Sequence, residues 1–211
     1  MAITNGYTTL VALKAALKIG DVTDDTRLEL SIEAASRQID DHVGRGRKFW
    51  VDGSVVARKY FPCSARTLYV DDVSTVTGLI VKVDTSDDGT FDTTLTINTD
   101  FTVHPANAAA EVPVRPFENI RLIDGALAGF VSSSSGRPSV EVTAKYGWPA
   151  VPEAVERACV FQAKNIFKAP DTMYGSFQLA QEGSALKVPS MDPLARALLE
   201  GFIRHVEVND E

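Results

Sequence analysis

The chain has 211 residues, of which 45% are hydrophobic and 23% are charged, and this composition is typical of a globular protein with a buried core. Its formal net charge of −7 argues against wrapping nucleic acid as a main task, because phosphate contacts need a clustered positive surface. No apolar run approaches the roughly 20 residues that cross a bilayer, so we expect no membrane segment.

The N-terminal part is predicted to form two helices. Thr8 or Thr9 can cap the first helix, and Gly20 is placed to end it. Thr23 is the predicted cap of the second helix, which Gly44 closes. The apolar residues of the second helix recur at spacings of three and four, and they are Leu28, Ile32, Ala35, Ile39 and Val43. They form one face, which must pack on another element.

From residue 49 to residue 148 the pattern changes to short segments rich in Val, Ile, Thr and aromatic residues, separated by turn residues. The predicted strands cover residues 54–61, 67–70, 75–84, 90–97, 101–104, 112–123 and 139–146. Strands at this spacing are typical of a small antiparallel sandwich or a barrel-like sheet.

Helix is predicted again from Pro152, a residue suited to a first helical turn. Pro170 is predicted to stop this helix, and a last helix begins at Ser190 or Asp192. The sequence therefore predicts an α+β fold. A small helical bundle, from residues 1–49 and 150–211, is interrupted by an antiparallel β insert at residues 50–149.

The acidic run at residues 84–89 matches the start of a calcium-binding loop, with oxygen ligands at Asp84, Ser86 and Asp88. The twelfth position of such a loop, which should hold a bidentate carboxylate, is Leu95. An acidic β-turn with Gly89 at a position of positive φ explains the same residues. The three residues are therefore weak calcium candidates, and we expect no metal site and no cofactor.

No catalytic constellation emerges from the sequence. The three histidines lack zinc-ligand spacing, and no serine lies in a nucleophile elbow. Cys63 and Cys159 lie in segments that look buried, so we expect reduced packing residues and no disulfide. The protein is therefore not expected to be an enzyme.

Arg45, Arg47 and Lys48 form the only dense basic stretch. Cations at the end of the second helix are favoured by the helix dipole, which is one interpretation. The other is an electrostatic contact with an acidic partner surface or with passing DNA.

Several segments, in their order and spacing, resemble tailed-bacteriophage head–tail connector proteins (adaptor or head-completion proteins). They are Tyr7-Thr-Thr-Leu-Val-Ala-Leu-Lys-Ala-Ala-Leu, Asp24-Asp25 with Ile32-Glu-Ala-Ala-Ser-Arg-Gln-Ile-Asp, Gly44-Arg45, Leu68-Tyr-Val-Asp-Asp-Val-Ser-Thr-Val-Thr-Gly-Leu, Asp87-Asp-Gly-Thr-Phe and Tyr146-Gly-Trp-Pro-Ala-Val-Pro-Glu-Ala-Val. The resemblance covers most of the chain and is weak over residues 105–137.

The resemblance implies a structural protein of the virion neck, assembled in the host cytoplasm. Its copies would form a ring, usually of twelve, below the portal protein. The ring would join the portal to a downstream stopper or tail connector, and genomic DNA would pass through its lumen without specific contacts. The alternative is a monomeric binding module that uses the β insert, with calcium as an optional ligand.

Residues 171–211 are predicted to form a C-terminal arm that docks on the portal. The arm carries more apolar surface than a free terminal helix should expose, and a groove or sheet edge of a partner would bury it. The candidate contact residues are Met173, Tyr174, Phe177, Leu198, Leu199, Phe202 and Ile203. In the alternative, the last helix folds back onto the helical body.

Overall fold

The structure is a computed structural model that describes residues 3–44, 47–125, 129–130, 136–176 and 191–203, with residues 171–176 described as backbone. Its contacts divide the chain into two units. Residues 1–45 and 151–211 form the helical unit, and residues 46–150 form the β unit.

The helical unit contains four α-helices in the part of the chain that the structure describes. They are α1 (Leu10–Leu17), α2 (Asp25–Val43), α3 (Glu153–Ser176) and α4 (Pro193–Leu199). α3 packs against α2 and α4, and α1 contacts both α2 and α3. The predicted apolar face of α2 is confirmed, because its five residues are all fully buried.

The ends of α1 and α2 differ in part from the prediction. Thr9 caps α1 by accepting a hydrogen bond from the N–H of Ala12, but the helix ends at Lys18 and not at Gly20. Lys18 adopts a left-handed conformation (φ 59°). Its backbone N–H donates to the carbonyl of Ala15, and the N–H of Ile19 donates to the carbonyl of Lys14. Asp24, not Thr23, is the N-cap residue of α2.

The prediction that Pro170 stops the third helix is wrong, because α3 continues through it to Ser176. A proline inside a helix removes one backbone N–H donor. Pro170 is exposed, so water can reach the carbonyl that loses this donor. The first residues of the predicted arm therefore belong to α3.

The β unit contains two antiparallel sheets built from the strands of the described residues. The strands are β1 (Val56–Tyr60), β2 (Thr67–Val73), β3 (Ile80–Val83), β4 (Thr93–Leu95), β5 (Phe101–His104), β6 (Phe117–Leu122) and β7 (Val140–Ala144). One sheet has the order β1-β7-β3-β4 and the other has the order β2-β6-β5. Buried residues of both sheets form one shared core, so the predicted α+β class with a sandwich-like insert is confirmed.

Each predicted strand is present, and several are shorter than expected. β3 begins at Ile80 and not at residue 75, and β6 begins at Phe117 and not at residue 112. The residues before it form a loop that contains a 3-10 turn at Ala108–Ala110 and is closed by a hydrogen bond from the N–H of Arg115 to the carbonyl of Ala108.

A buried carboxylate on β2 holds the two ends of the β unit. Arg47 Nε lies 3.1 Å from Asp72 Oδ2, and its Nη2 lies 3.3 Å from Oδ1. Trp148 Nε1 donates to the same carboxylate at 3.1 Å. Asp72 is 1% exposed and Arg47 is 7% exposed, so this charge pair is desolvated. We call these three residues the root cluster, because two of them lie where the chain enters and leaves the unit.

Gly147 makes this arrangement possible. Its backbone N–H donates to the carbonyl of Asp72 at 2.7 Å. Its φ is 115°, and a Cβ at this position would lie 1.8 Å from the carbonyl oxygen of Trp50. A larger residue would therefore separate the entering and leaving segments.

Asp72→Ala is expected to destabilise the β unit by about 3–5 kcal/mol, because it removes the buried carboxylate that accepts two hydrogen bonds from the desolvated Arg47 guanidinium. Both tryptophans, Trp50 and Trp148, belong to the β unit, so tryptophan fluorescence during urea unfolding reports on this unit.

Asp124→Ala is the matched control, because it removes an ion pair with Arg66 whose carboxylate side chain is 87% exposed. The free energy of unfolding should then change by about 1 kcal/mol or less. Equal shifts of the urea midpoint in the two variants would contradict a structural role for the root cluster.

Candidate functional site

A groove of about 550 Å³ lies in the helical unit, beside the end of α2 and along α4. Its lining residues are His42, Met191, Pro193, Arg196, Ala197, Glu200 and Ile203. His42 Nε2 is buried, and no hydrogen-bond partner for it lies among the described residues. Among the described residues, the lining contains no nucleophile paired with a base.

Polar contacts at the start of α4 hold that helix against the rest of the helical unit. The Asp192 carboxylate caps α4 by accepting the N–H groups of Leu194 and Ala195. Asn165 Nδ2 donates to the other carboxylate oxygen at 2.6 Å, and the N–H of Asp192 donates to Gln162 Oε1 at 2.7 Å. Asp192 is thus the N-cap of α4. It is one of the two residues, Ser190 and Asp192, that were predicted to begin this helix.

The predicted portal-contact residues fall into three groups. Leu199 is fully buried in the helical unit, so its side chain is not exposed for a portal contact. For α4, the structure shows the folded-back alternative. Leu198, Phe202 and Ile203 are half-buried, and Ile203 lines the groove. Met173 and Tyr174 lie in α3 with side chains outside the described residues, and Phe177 lies outside them altogether.

The basic stretch is used largely inside the β unit. The sequence analysis offered Arg47 as a contact for a partner or for DNA. In the structure, Arg47 belongs to the root cluster and also pairs with Glu118, so its guanidinium is already engaged. Lys48 forms an ion pair with Asp52, and its ammonium lies 5.4 Å from the centre of the Trp50 ring. Arg45 lies outside the described residues.

The acidic loop is organised by one carboxylate. Asp84 is 1% exposed and accepts the backbone N–H groups of Ser86, Asp88 and Gly89, the last at 2.7 Å. Gly89 has a φ of 93°, as the turn interpretation requires. Arg137 Nη1 donates to the carbonyl of Asp88 from outside the loop. Over the described residues, no cluster of three or more His, Cys, Asp or Glu side chains is placed to hold a metal ion.

A second polar network joins β1 to β2 in the β unit. Arg58 Nη1 lies 2.6 Å from Asp71 Oδ2, and Tyr60 OH donates to the same oxygen at 3.0 Å. The Arg58 guanidinium also lies 4.0 Å from the centre of the Tyr146 ring. Burial raises the pKa of Tyr60 to about 12 and raises the pKa of Tyr146 as well. Neither phenol ionises near neutral pH, so both act as hydrogen-bond donors and not as general bases.

The two cysteines differ from each other. Cys159 is buried in α3, and burial raises the pKa of its thiol to about 11, so little thiolate exists at neutral pH. Cys63 is exposed, which corrects the expectation that both lie in buried segments. Its thiol lies 2.9 Å from the carbonyl of Thr67. Both thiols are free.

One surface feature was missed by the sequence analysis. Two segments of the β unit carry five exposed aliphatic side chains: Val51, Val55, Val56, Val76 and Ile80. The sequence indicates this feature in two segments of low charge, 51–57 and 74–80, in which Asp52 is the only charged residue. Their β propensity predicts strands but does not indicate which side chains a sheet covers.

No helix in the described ranges is both long enough and apolar enough to cross a membrane.

Calcium is expected to leave the melting temperature unchanged, because both oxygens of Asp84 already accept backbone N–H groups and Leu95 offers no oxygen. Asp84→Ala should destabilise the protein by about 1–3 kcal/mol, since it removes the acceptor of three N–H groups. Asp88→Ala, in the exposed part of the loop, is the control with a smaller effect. A rise of several degrees at sub-millimolar calcium, reversed by a chelator, would contradict this account.

Neither protein-family models nor curated protein sequences match this chain. Solved structures do. The neck of an empty gene transfer agent (GTA) particle, computed with C6 symmetry, matches with a TM-score of 0.52 and 19% identity over 100% of this chain and 96% of that chain. The neck of the native GTA particle, computed with C12 symmetry, matches with a TM-score of 0.53 and 16% identity over the same shares. The chain therefore has the fold of these neck structures along its whole length, as its resemblance to head–tail connector proteins implied.

Proposed function

We propose that the protein is a structural component of the neck of a phage-like particle, a head-to-tail adaptor whose copies form a ring below the portal. The observation that carries this proposal is the fold shared over the whole chain with necks computed with C6 and C12 symmetry. The ring would extend the DNA channel and link the capsid to the stopper or the tail.

The chemistry of the described residues supports a role without catalysis. The buried charges of the β unit are engaged in structural pairs, Arg47 with Asp72 and Arg58 with Asp71. The Asp84 carboxylate closes a loop. An adaptor needs rigid surfaces that fit their neighbours, and these contacts provide rigidity without a reactive group.

The C-terminal part of the helical unit is the proposed portal-docking surface. Phe202 and Ile203 are half-buried after α4, where Ile203 lines the groove beside the exposed Arg196 and Glu200. An apolar floor with charged groups at its edge is the usual anatomy of a protein interface. Lys48 and Arg45 remain proposed contacts for an acidic partner or for DNA in the lumen.

Mixing the purified protein with the portal protein of the same particle tests the ring. We expect images of a ring on one face of the portal, and a mass increase of twelve chains of 22.8 kDa. Single copies bound to the portal, or a monomer without affinity for it, would contradict the proposal and favour the monomeric binding module.

Phe202→Asp and Ile203→Asp are expected to weaken portal binding roughly tenfold or more, because truncating a well-packed contact costs about 1–2 kcal/mol. Leu194→Asp is the matched control, since Leu194 lies on the preceding helix α4, is 63% exposed and does not line the groove. Circular dichroism verifies that all three variants are folded. Docking belongs to another surface if the variants at 202 and 203 bind portal as the control does.

A further inference from the structure

Charge is unevenly distributed in the helical unit, although the whole chain is acidic. The net charge is −7, yet residues 157–170 of α3 contain two lysines, one arginine and no carboxylate. Glu153 and Glu156, the acidic residues that precede this stretch in α3, lie in its first turn, where the helix dipole favours them. Between its first turn and Pro170, α3 is therefore a positive element of an acidic protein.

The three cations of this stretch lie on one face of α3, and we call them the basic stripe: Arg157, Lys164 and Lys168. At about 3.6 residues per turn, they fall within about 40° of one another around the helix axis and span about 16 Å along it. Val155 and Cys159, on the opposite side of the helix, are fully buried. Arg157 and Lys168 are exposed and Lys164 is partly exposed, so the stripe points away from the core.

Neighbouring elements do not neutralise the stripe. Neither Arg157 nor Lys164 forms an ion pair or a side-chain hydrogen bond with another residue in the described part of the chain. α1 packs on α3 and brings no acidic side chain, since residues 1–20 contain no Asp or Glu. The carboxylate of Asp25, at the start of α2, is already paired with Lys14 at 2.6 Å. The positive potential of the stripe therefore persists at the surface.

A fourth cation lies beside one end of the stripe. Arg27 Nη2, from the first turns of α2, donates to the carbonyl of Phe167 at 2.7 Å. Its guanidinium lies 4.4 Å from the centre of the Phe167 ring. Phe167 directly precedes Lys168 and lies one turn from Lys164. Arg27 thus adds a fixed positive charge where two of the three stripe cations are closest to each other.

We propose that the basic stripe is the face that each copy turns toward the phosphate backbone of the DNA in the channel. This inference rests on the proposed function and names the surface that meets the DNA. Lysine and arginine contact backbone phosphates without reading the base sequence. A protein partner is a poorer occupant, because the centre of a protein interface is depleted in lysine. A few cations per copy keep the contact weak and independent of sequence, so that DNA can slide past it.

A charge reversal in the ring assembled on the portal tests the inference. The double variant Lys164→Glu/Lys168→Glu should bind a short fluorescent DNA duplex roughly tenfold more weakly, and its affinity should fall less steeply with salt, because fewer phosphates are neutralised. Lys59→Glu/Arg121→Glu is the matched control, with the same change of charge at two exposed side chains of the β unit. Fluorescence anisotropy over a salt series measures both quantities, and the portal alone gives the background.

The possible outcomes separate the inference from the proposed function. If the wild type forms the ring but the stripe variant binds the duplex as the control does, the inference is wrong and the proposed function stands. The same holds if the wild-type ring binds no more DNA than the portal alone. A stripe variant that is folded by circular dichroism but forms no ring would show that the stripe is a protein contact, which also overturns the inference. If the wild type forms no ring, both are wrong.

Thiol protection identifies the occupant of the stripe directly. In the variant Lys164→Cys, alkylation of the introduced thiol should slow several-fold when the duplex is added to the ring, while the exposed native Cys63 reacts at an unchanged rate. Protection by ring assembly without DNA would assign the stripe to a neighbouring copy or to the portal. Unchanged alkylation after addition of the duplex would show that DNA does not cover the stripe. Either result overturns the inference.

Discussion

The β unit depends on one desolvated carboxylate. Asp72 receives two hydrogen bonds from Arg47 and one from Trp148, and its own carbonyl accepts the N–H of Gly147. Isolated, a charge at 1% exposure would be strongly unfavourable, so the carboxylate and the guanidinium each require the other. This mutual requirement fixes where the chain enters and leaves the sandwich. A buried ion pair of this kind favours one arrangement of the chain over others more than it adds to the free energy of unfolding.

Periodicity in the sequence predicted most of the elements, because the core faces follow helix and strand repeats. The ends of the helices and strands were harder to predict. Thr23 and Asp24 are both good caps, and only the path of the chain selects between them. Pro170 is compatible with α3 because it lies on an exposed face, which depends on packing and not on local preference. The role of Arg47 could not be predicted, since its partner lies 25 residues away on a strand whose register the sequence does not give.

The candidate sites could likewise be predicted where their geometry depends on nearby residues, but not where it depends on residues far away in the sequence. The turn at residues 84–89 was predicted correctly as a turn, since its geometry depends on nearby residues. The burial of Leu199 could not be predicted, because the sequence of an apolar helix is the same whether the helix packs on its own chain or on a partner. The polar groups of the described units serve mainly to hold loops, caps and strands. The groove along α4 is the surface that these contacts leave open to a partner.

The central claim is that this fold serves as a repeated component of a particle neck. The most direct measurement is a cryo-EM reconstruction of the neck of the particle that contains this protein, calculated without imposed symmetry. The account predicts a ring of density coaxial with the portal, in which every repeat accommodates both the helical unit and the β unit. A neck whose density accommodates neither unit, or a single copy outside any ring, would contradict it.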